Sequence, residues 1–223
     1  MDIDVLLYEG FDELDGIGPY EVFDYALDYA GADGADGIDG EQGSTDGESA
    51  GRLRYVTLDE RERVTASHGT RIGVDAVLPA PDDEDAADLL VVPGGGWTAR
   101  DEDASAWAEA QKGDVPAALA EYHAAGTRIA SVCTGSMLLA EAGVTDGRRA
   151  VTHASAIDEL RDSGADVVDA RVVDDGDLLT AGGVTSGLDL ALYVVEREFG
   201  ADIAEQVATV IEYERRYEVA RAD

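Results

Sequence analysis

The sequence predicts an α/β fold in which a mostly parallel central sheet is covered by helices on both faces. Short apolar runs such as residues 89–92 and 128–132 have the unbroken hydrophobicity of strands buried on two sides. These runs alternate with longer stretches of helical periodicity, the β-α-β-α order that builds a parallel sheet. A chain of 223 residues with 45% hydrophobic content supplies one full core and is short for two. Residues 1–223 are therefore expected to form a single domain, with no internal repeat and no linker that would divide it.

Taken in order, residues 4–8 read as a short buried strand, and 19–30 as a helix whose first turn holds Pro19 and Glu21. The stretch 31–51 is built from Gly, Asp, Ser, Glu and Ala with little apolar content. It cannot bury enough surface to hold a structure of its own and is expected to be a flexible acidic loop. Residues 53–58 resume as a strand, 64–66 with 71–77 suggest a hairpin, and 89–92 reads as a central parallel strand. After Pro93-Gly94-Gly95-Gly96 comes a helical segment over 104–125, with Gly113 to Pro116 marking a break and restart. The strand 128–132 leads into a short helix over 135–142 that Gly143 closes. Residues 150–152 form a further strand, 157–162 a helix, 167–173 and 177–181 strands, and 188–199 and 203–213 the last two helices.

Charge is the strongest global signal: 49 acidic against 16 basic residues, net −33, with Lys112 the one lysine. Such self-repulsion weakens a compact fold at low ionic strength, whereas molar salt shortens the Debye length to about 3 Å. The composition thus points to a cytosol of molar salt, that of a haloarchaeon; an acidic mesophilic protein is the alternative, and the near-absence of lysine along the entire length makes it the weaker reading. The same charge excludes nucleic acid as a partner, since phosphate binding needs a basic footprint. A single cysteine forms no internal disulfide, which favours a reducing cytoplasm. Met1-Asp2-Ile3-Asp4 carries no basic leader, and no stretch approaches about 18 uninterrupted apolar residues, so neither secretion nor a membrane partner is expected.

Two turns at the carboxyl ends of predicted strands carry the chemistry, where open α/β sheets bind ligands. The first is Ser131-Val132-Cys133-Thr134-Gly135-Ser136, which places the only cysteine between a buried strand and a helix. A thiol at a helix N-terminus meets unpaired N–H groups and the positive dipole end, which lowers its pKa. Gly135 permits the tight turn of a nucleophile elbow. A buried, inert cysteine serving as a small hydrophobe is the alternative, and the local pattern does not separate the two. The second is Val92-Pro93-Gly94-Gly95-Gly96-Trp97. Its Gly95 and Gly96 amides, with that of Thr134, are candidates for an oxyanion hole facing Cys133, against a reading as a plain tight turn. The pattern GxxxxGK[ST] is absent, which argues against a phosphate site. Neither His68 nor His123 has a partner at ligand spacing, so no metal and no other cofactor is expected. Thr185-Ser186-Gly187-Leu188-Asp189 starts a helix, with Ser186 and Asp189 as an S-x-x-D capping pair.

These segments, together with Val5-Leu6-Leu7-Tyr8, Leu14-Asp15, Gly18-Pro19, Arg149-Ala150-Val151-Thr152-His153 and Thr180 to Asp189, resemble the ThiJ/PfpI family of class I glutamine-amidotransferase-like proteins. The resemblance runs from residue 3 to about 200. It implies a flavodoxin-like three-layer sandwich with a nucleophile elbow, and a homodimer. Within the family the details are most similar to the isonitrile hydratase-like branch, in which an aspartate in an LDxxGP context stands near the cysteine and a threonine follows it. Here these are Asp15, Cys133 and Thr134. A carboxyl beside a thiolate and away from water should have a raised pKa and could donate to sulfur or move protons. Without the resemblance, Asp15 reads as a loop residue or an early N-cap. His153 matches a histidine the family often places near its site, or is a rim histidine bonded to backbone. The resemblance also brings Thr185 to the pocket border, although capping alone explains the turn.

Where the chain departs from relatives, activities drop out. Protease-like members have a histidine directly after the cysteine; Thr134 stands there, so no adjacent Cys-His dyad exists. Deglycase and glyoxalase-like members use a glutamate at the upstream acidic position. Regulators carry a helix-turn-helix domain after this one, and the chain ends at Asp223, so a DNA-binding regulator is not expected. The expected function is a cysteine-dependent enzyme hydrating a small electrophile, of isonitrile hydratase type, acting on a small-molecule substrate. Glyoxalase, deglycase or amidase activity is the alternative within enzymes. A redox or stress sensor that oxidises Cys133 without turnover is the alternative outside them.

Overall fold

The computed structural model describes residues 1–31, 50–101, 103–215 and 219–221; residues 32–49, the body of the expected acidic loop, lie outside the described residues. The first half runs β1 (Ile3–Leu6), α1 (Glu13–Gly31), β2 (Leu53–Thr57), β3 (Arg63–Thr65), β4 (Arg71–Gly73), β5 (Ala76–Val77), β6 (Leu89–Val92), α2 (Ala106–Lys112) and α3 (Asp114–Ala125). The second runs β7 (Arg128–Val132), α4 (Gly135–Glu141), β8 (Arg149–Ala150), α5 (Ile157–Asp162), β9 (Asp166–Val167), β10 (Val172–Asp174), β11 (Leu178–Ala181), α6 (Ser186–Phe199), α7 (Ala201–Val210) and β12 (Val219–Arg221). Among the described residues, strands hydrogen-bond in the order β12-β10-β11-β7-β6-β1-β2-β5. Every neighbouring pair is parallel except β10 with β11. The expected mostly parallel three-layer sandwich is the fold found.

Handedness explains the layers. The chain steps from β1 to β2 in one direction across the sheet and from β6 to β7 in the other, so right-handed crossovers put α1 and α2–α3 on opposite faces. Helices α1, α6 and α7 pack together, as do α2, α3 and α4. The core lies between, with β1, β6 and β11 buried along their whole length. The direction reverses between β1 and β6, which opens a crevice beyond their carboxyl ends.

Several expected elements move. Helix α1 begins at Glu13 rather than Pro19, so Pro19 sits inside it. Having no N–H, Pro19 forgoes one helical bond; its ring is buried against the start of α6, where a Cβ on Gly187 would lie 3.3 Å from Pro19 Cγ. The 64–77 excursion divides: β3 and β4 form an antiparallel hairpin, while β5 joins the main sheet beside β2. The expected strand 167–173 is two strands, β9 pairing with β8 and β10 with β11. Ser186 does not cap α6. Thr185 holds the N-cap position without a side-chain cap bond, and the Asp189 carboxylate turns instead to Arg171 and to the Tyr213 hydroxyl. No helix among the described residues is long and apolar enough to cross a membrane.

Candidate active site

Three loops meet at the crevice: residues 7–12 after β1, 93–97 after β6, and the elbow after β7. Cys133 has φ +56°, a left-handed conformation that a non-glycine residue adopts only when its surroundings fix it. Those surroundings are specific. The Cys133 N–H donates to the Ala181 carbonyl at 3.0 Å, and the Cys133 carbonyl accepts from Thr152 Oγ1 at 2.9 Å. Two glycines let the β6 loop close on the elbow. A Cβ on Gly135 would lie 2.2 Å from the Val92 oxygen, and one on Gly94 would lie 2.4 Å from the Thr134 nitrogen. Ser136 Oγ completes the clamp by donating to the Val151 carbonyl at 2.7 Å.

Asp15, in the first turn of α1, is fully buried and couples directly to the Cys133 thiol. Its Oδ2 accepts the Gly94 N–H at 3.1 Å, while Oδ1 has no hydrogen-bond partner of regular geometry among the described residues. Burial, then the charge of Asp12, pushes the Asp15 carboxyl up to about 8. The lowered thiol pKa expected of a helix N-terminus is not what this geometry gives. Burial pushes the Cys133 thiol up, the charge of Asp15 pushes it further, and the Thr134 N–H opposes both without prevailing. Helix α4 has only seven residues, so its dipole is a weak counterweight. Both groups are thus held above their ordinary pKa, the thiol partly by the charge of Asp15, so near neutrality carboxyl and thiol each keep a proton.

The other expected site residues divide between this centre and its rim. Thr134 is buried beside the cysteine, and its Oγ1 accepts the Gly95 N–H at 3.0 Å. That bond occupies the amide expected to face an oxyanion, so Gly95 orients Thr134 instead. Its backbone, at φ +142°, passes so close to the β1 loop that a Cβ would lie 2.5 Å from the Gly10 oxygen. Gly96, at φ +65°, is exposed at the mouth. His153 is half-buried and caps the short 3-10 turn Ala154–Ala156, its Nδ1 accepting from the Ser155 N–H at 3.2 Å. This is the backbone-bonded rim histidine that the sequence left as one of two possibilities, and it adjoins Thr152, which holds Cys133. Thr185 Oγ1 accepts from Arg171 Nη2 at 2.8 Å.

Sequence reasoning missed Tyr8, Asp12 and Glu159. The Tyr8 hydroxyl donates to the Pro93 carbonyl at 2.8 Å inside the protein. Trp97 Nε1 donates to Glu159 Oε2 at 3.0 Å, tying the glycine loop to α5. The polar tips of Tyr8 and Trp97, at the ends of apolar segments, were the available signal. Among the described residues no group of three His, Cys, Asp or Glu side chains converges as a metal site.

Residues 1–197 match the model of the DJ-1/PfpI family. An isonitrile hydratase of Pseudomonas putida is 40% identical over 129 residues, covering 56% of this chain and 52% of that enzyme. The match thus spans about half that relative's length. A deglycase of Pyrococcus horikoshii is 32% identical over 146 residues, 65% of this chain and 79% of the relative. Among solved structures, a ThiJ/PfpI family protein from Pseudomonas syringae superposes with TM-score 0.75 at 27% identity, covering 96% of this chain and 76% of that one. Drosophila melanogaster DJ-1beta gives TM-score 0.73 at 23% identity over 96% of this chain and 98% of that one, a likeness of fold.

Proposed function

The chain belongs to the DJ-1/PfpI family, and from that premise we propose that it is a cysteine-dependent enzyme hydrating a small isonitrile, with Cys133 as nucleophile and Asp15 as proton carrier. The observation that carries the proposal is the buried Asp15–Cys133 pair, with Asp15 raised to about 8 and thus a proton donor near neutrality. The similarity to an isonitrile hydratase supports the choice of substrate.

In the proposed sequence the Cys133 sulfur bonds to the terminal isonitrile carbon while Asp15 delivers its proton to that carbon and takes up the thiol proton in turn, giving a thioimidate. Water then adds to the same carbon, Asp15 passing its proton to nitrogen as its carboxylate accepts one from the water. The C–S bond breaks as the hydroxyl proton passes to the leaving sulfur, and an N-substituted formamide is released with thiol and carboxyl both restored. Thr134 and the backbone amides of the elbow line the path of the reacting carbon.

A second reading, deglycase-like chemistry on an α-oxoaldehyde adduct, is favoured by the Pyrococcus horikoshii relative. Against it stands the carboxyl beside the thiol, which is an aspartate. Glu13 is committed to the β3–β4 turn, where it accepts from Ser67 Oγ and the His68 and Thr70 amides. The test is turnover of an alkyl isonitrile, with formamide read by mass spectrometry, against methylglyoxal-derived adducts. Asp15→Asn should lower isonitrile kcat by roughly 10²–10⁴-fold, and Cys133→Ser should abolish it. Formamide production that survives Cys133→Ser, or turnover of the adducts alone, would remove the isonitrile reading.

A further inference from the structure

We propose that Tyr8 is a positioning residue for the reacting pair, holding the Pro93–Gly94 peptide so that its N–H is presented to Asp15. The Tyr8 hydroxyl donates to the Pro93 carbonyl at 2.8 Å, and the Gly94 N–H donates to Asp15 Oδ2 at 3.1 Å. That carbonyl and that N–H are the two ends of one planar peptide unit, so fixing one end fixes the other. A hydrogen bond to the carbonyl also polarises the amide and strengthens its N–H as a donor. Tyr8 therefore acts on the Asp15 carboxylate through a rigid group without touching it. The next amide in the same loop, Gly95, donates to Thr134 Oγ1 at 3.0 Å, so the peptide Tyr8 anchors leads directly into the turn beside Cys133.

Two further observations fit. Tyr8 is 4% exposed, so water does not compete for its hydroxyl. Burial, then the charges of Asp15 and Cys133, pushes the phenol well above its ordinary range, which keeps it a donor throughout the working pH range and excludes it as an acid or base. A phenylalanine would fill the same volume and lack only the hydroxyl.

The inference rests on Asp15 and Cys133 being the reacting pair, and not on the isonitrile. Its test reads the pair directly: the rate of Cys133 alkylation by iodoacetamide against pH, in molar KCl, for wild type, Tyr8→Phe, Asp15→Asn and the double variant. In Tyr8→Phe the weaker Gly94 donor stabilises the carboxylate less, so the midpoint assigned to Asp15 should rise by about half a pH unit. In the Asp15→Asn background, Tyr8→Phe should produce no shift. Titration of the Asp15 carboxyl carbon by NMR gives the same comparison without alkylation. An unshifted midpoint in folded Tyr8→Phe, or an equal shift in both backgrounds, overturns the proposal, the second outcome marking Tyr8 as merely structural. A failed isonitrile assay leaves these profiles readable, so the two ideas fail separately.

Discussion

A carboxyl buried without an ion pair costs stability, and Asp15 carries that cost in a form that pH exposes. In the unfolded chain it would ionise near 4, whereas the fold raises it to about 8. Between these values the folded state keeps a proton that the unfolded state has released, so stability falls as pH rises through the window, by up to about 1.4 kcal/mol per unit. Asp15→Asn removes the titration while keeping an oxygen for the Gly94 N–H. The variant should therefore gain on wild type as pH is raised from 5 to 8, by roughly a few kcal/mol in urea unfolding. An equal difference at both pH values would place the proton elsewhere. Asp12→Asn should move the window downward, because the Asp12 charge is the second cause of the shift.

At the scale of elements, the site is an interlock of loops whose tolerances are set by glycine. Gly94→Ala would put a Cβ 2.4 Å from the Thr134 nitrogen and 2.6 Å from its Oγ1, contacts that only a shift of the β6 loop can relieve. The expected loss is about 1–3 kcal/mol, accompanied by a drop in Cys133 alkylation rate. Gly69, in the β3–β4 turn, is the control: nothing lies within 4 Å of its Cβ position, and only its φ of +92° opposes alanine. Gly69→Ala should cost roughly 1 kcal/mol and leave alkylation unchanged. The same interlock explains what the sequence disclosed. Strands β6 and β7 were legible to the residue, because their apolar runs end abruptly in Pro-Gly and Cys-Thr-Gly. The start of α1 was not, because Pro19 mimics a first helical residue and only packing against α6 shows otherwise. The split of 167–173 and the strand β12 depend on which distant strand each segment pairs with, which local alternation does not encode. Cys133, Thr134 and Asp15 were singled out by pattern and resemblance, whereas the role proposed for Tyr8 rests on a contact across 85 residues of chain.

For the whole molecule, the question is how a net charge of −33 is borne by 223 residues. Arginines are spent in close pairs: Arg54 chelates the fully buried Asp4 at 2.9 Å, and Arg148 bridges Asp175 and Asp177 across the turn before β11. Even with every basic residue paired, 49 acidic against 16 basic residues would leave a surplus of carboxylates repelling one another. We propose that the fold is suited to high salt, and the form of the salt dependence tests the cause. Screening acts over the Debye length, about 10 Å at 0.1 M and 3 Å at 1 M, so stabilisation by repulsion relief should rise steeply with KCl and flatten near 1 M. Strengthened apolar burial instead continues upward with concentration and depends on the anion, sulfate exceeding chloride. Thermal unfolding from 0.1 to 3 M KCl, repeated in potassium sulfate at matched ionic strength, separates the two. A plateau common to both salts is expected. A midpoint that does not move would mean that the local pairs already neutralise the surface where it matters, and a continued, sulfate-enhanced rise would put the salt effect in the core.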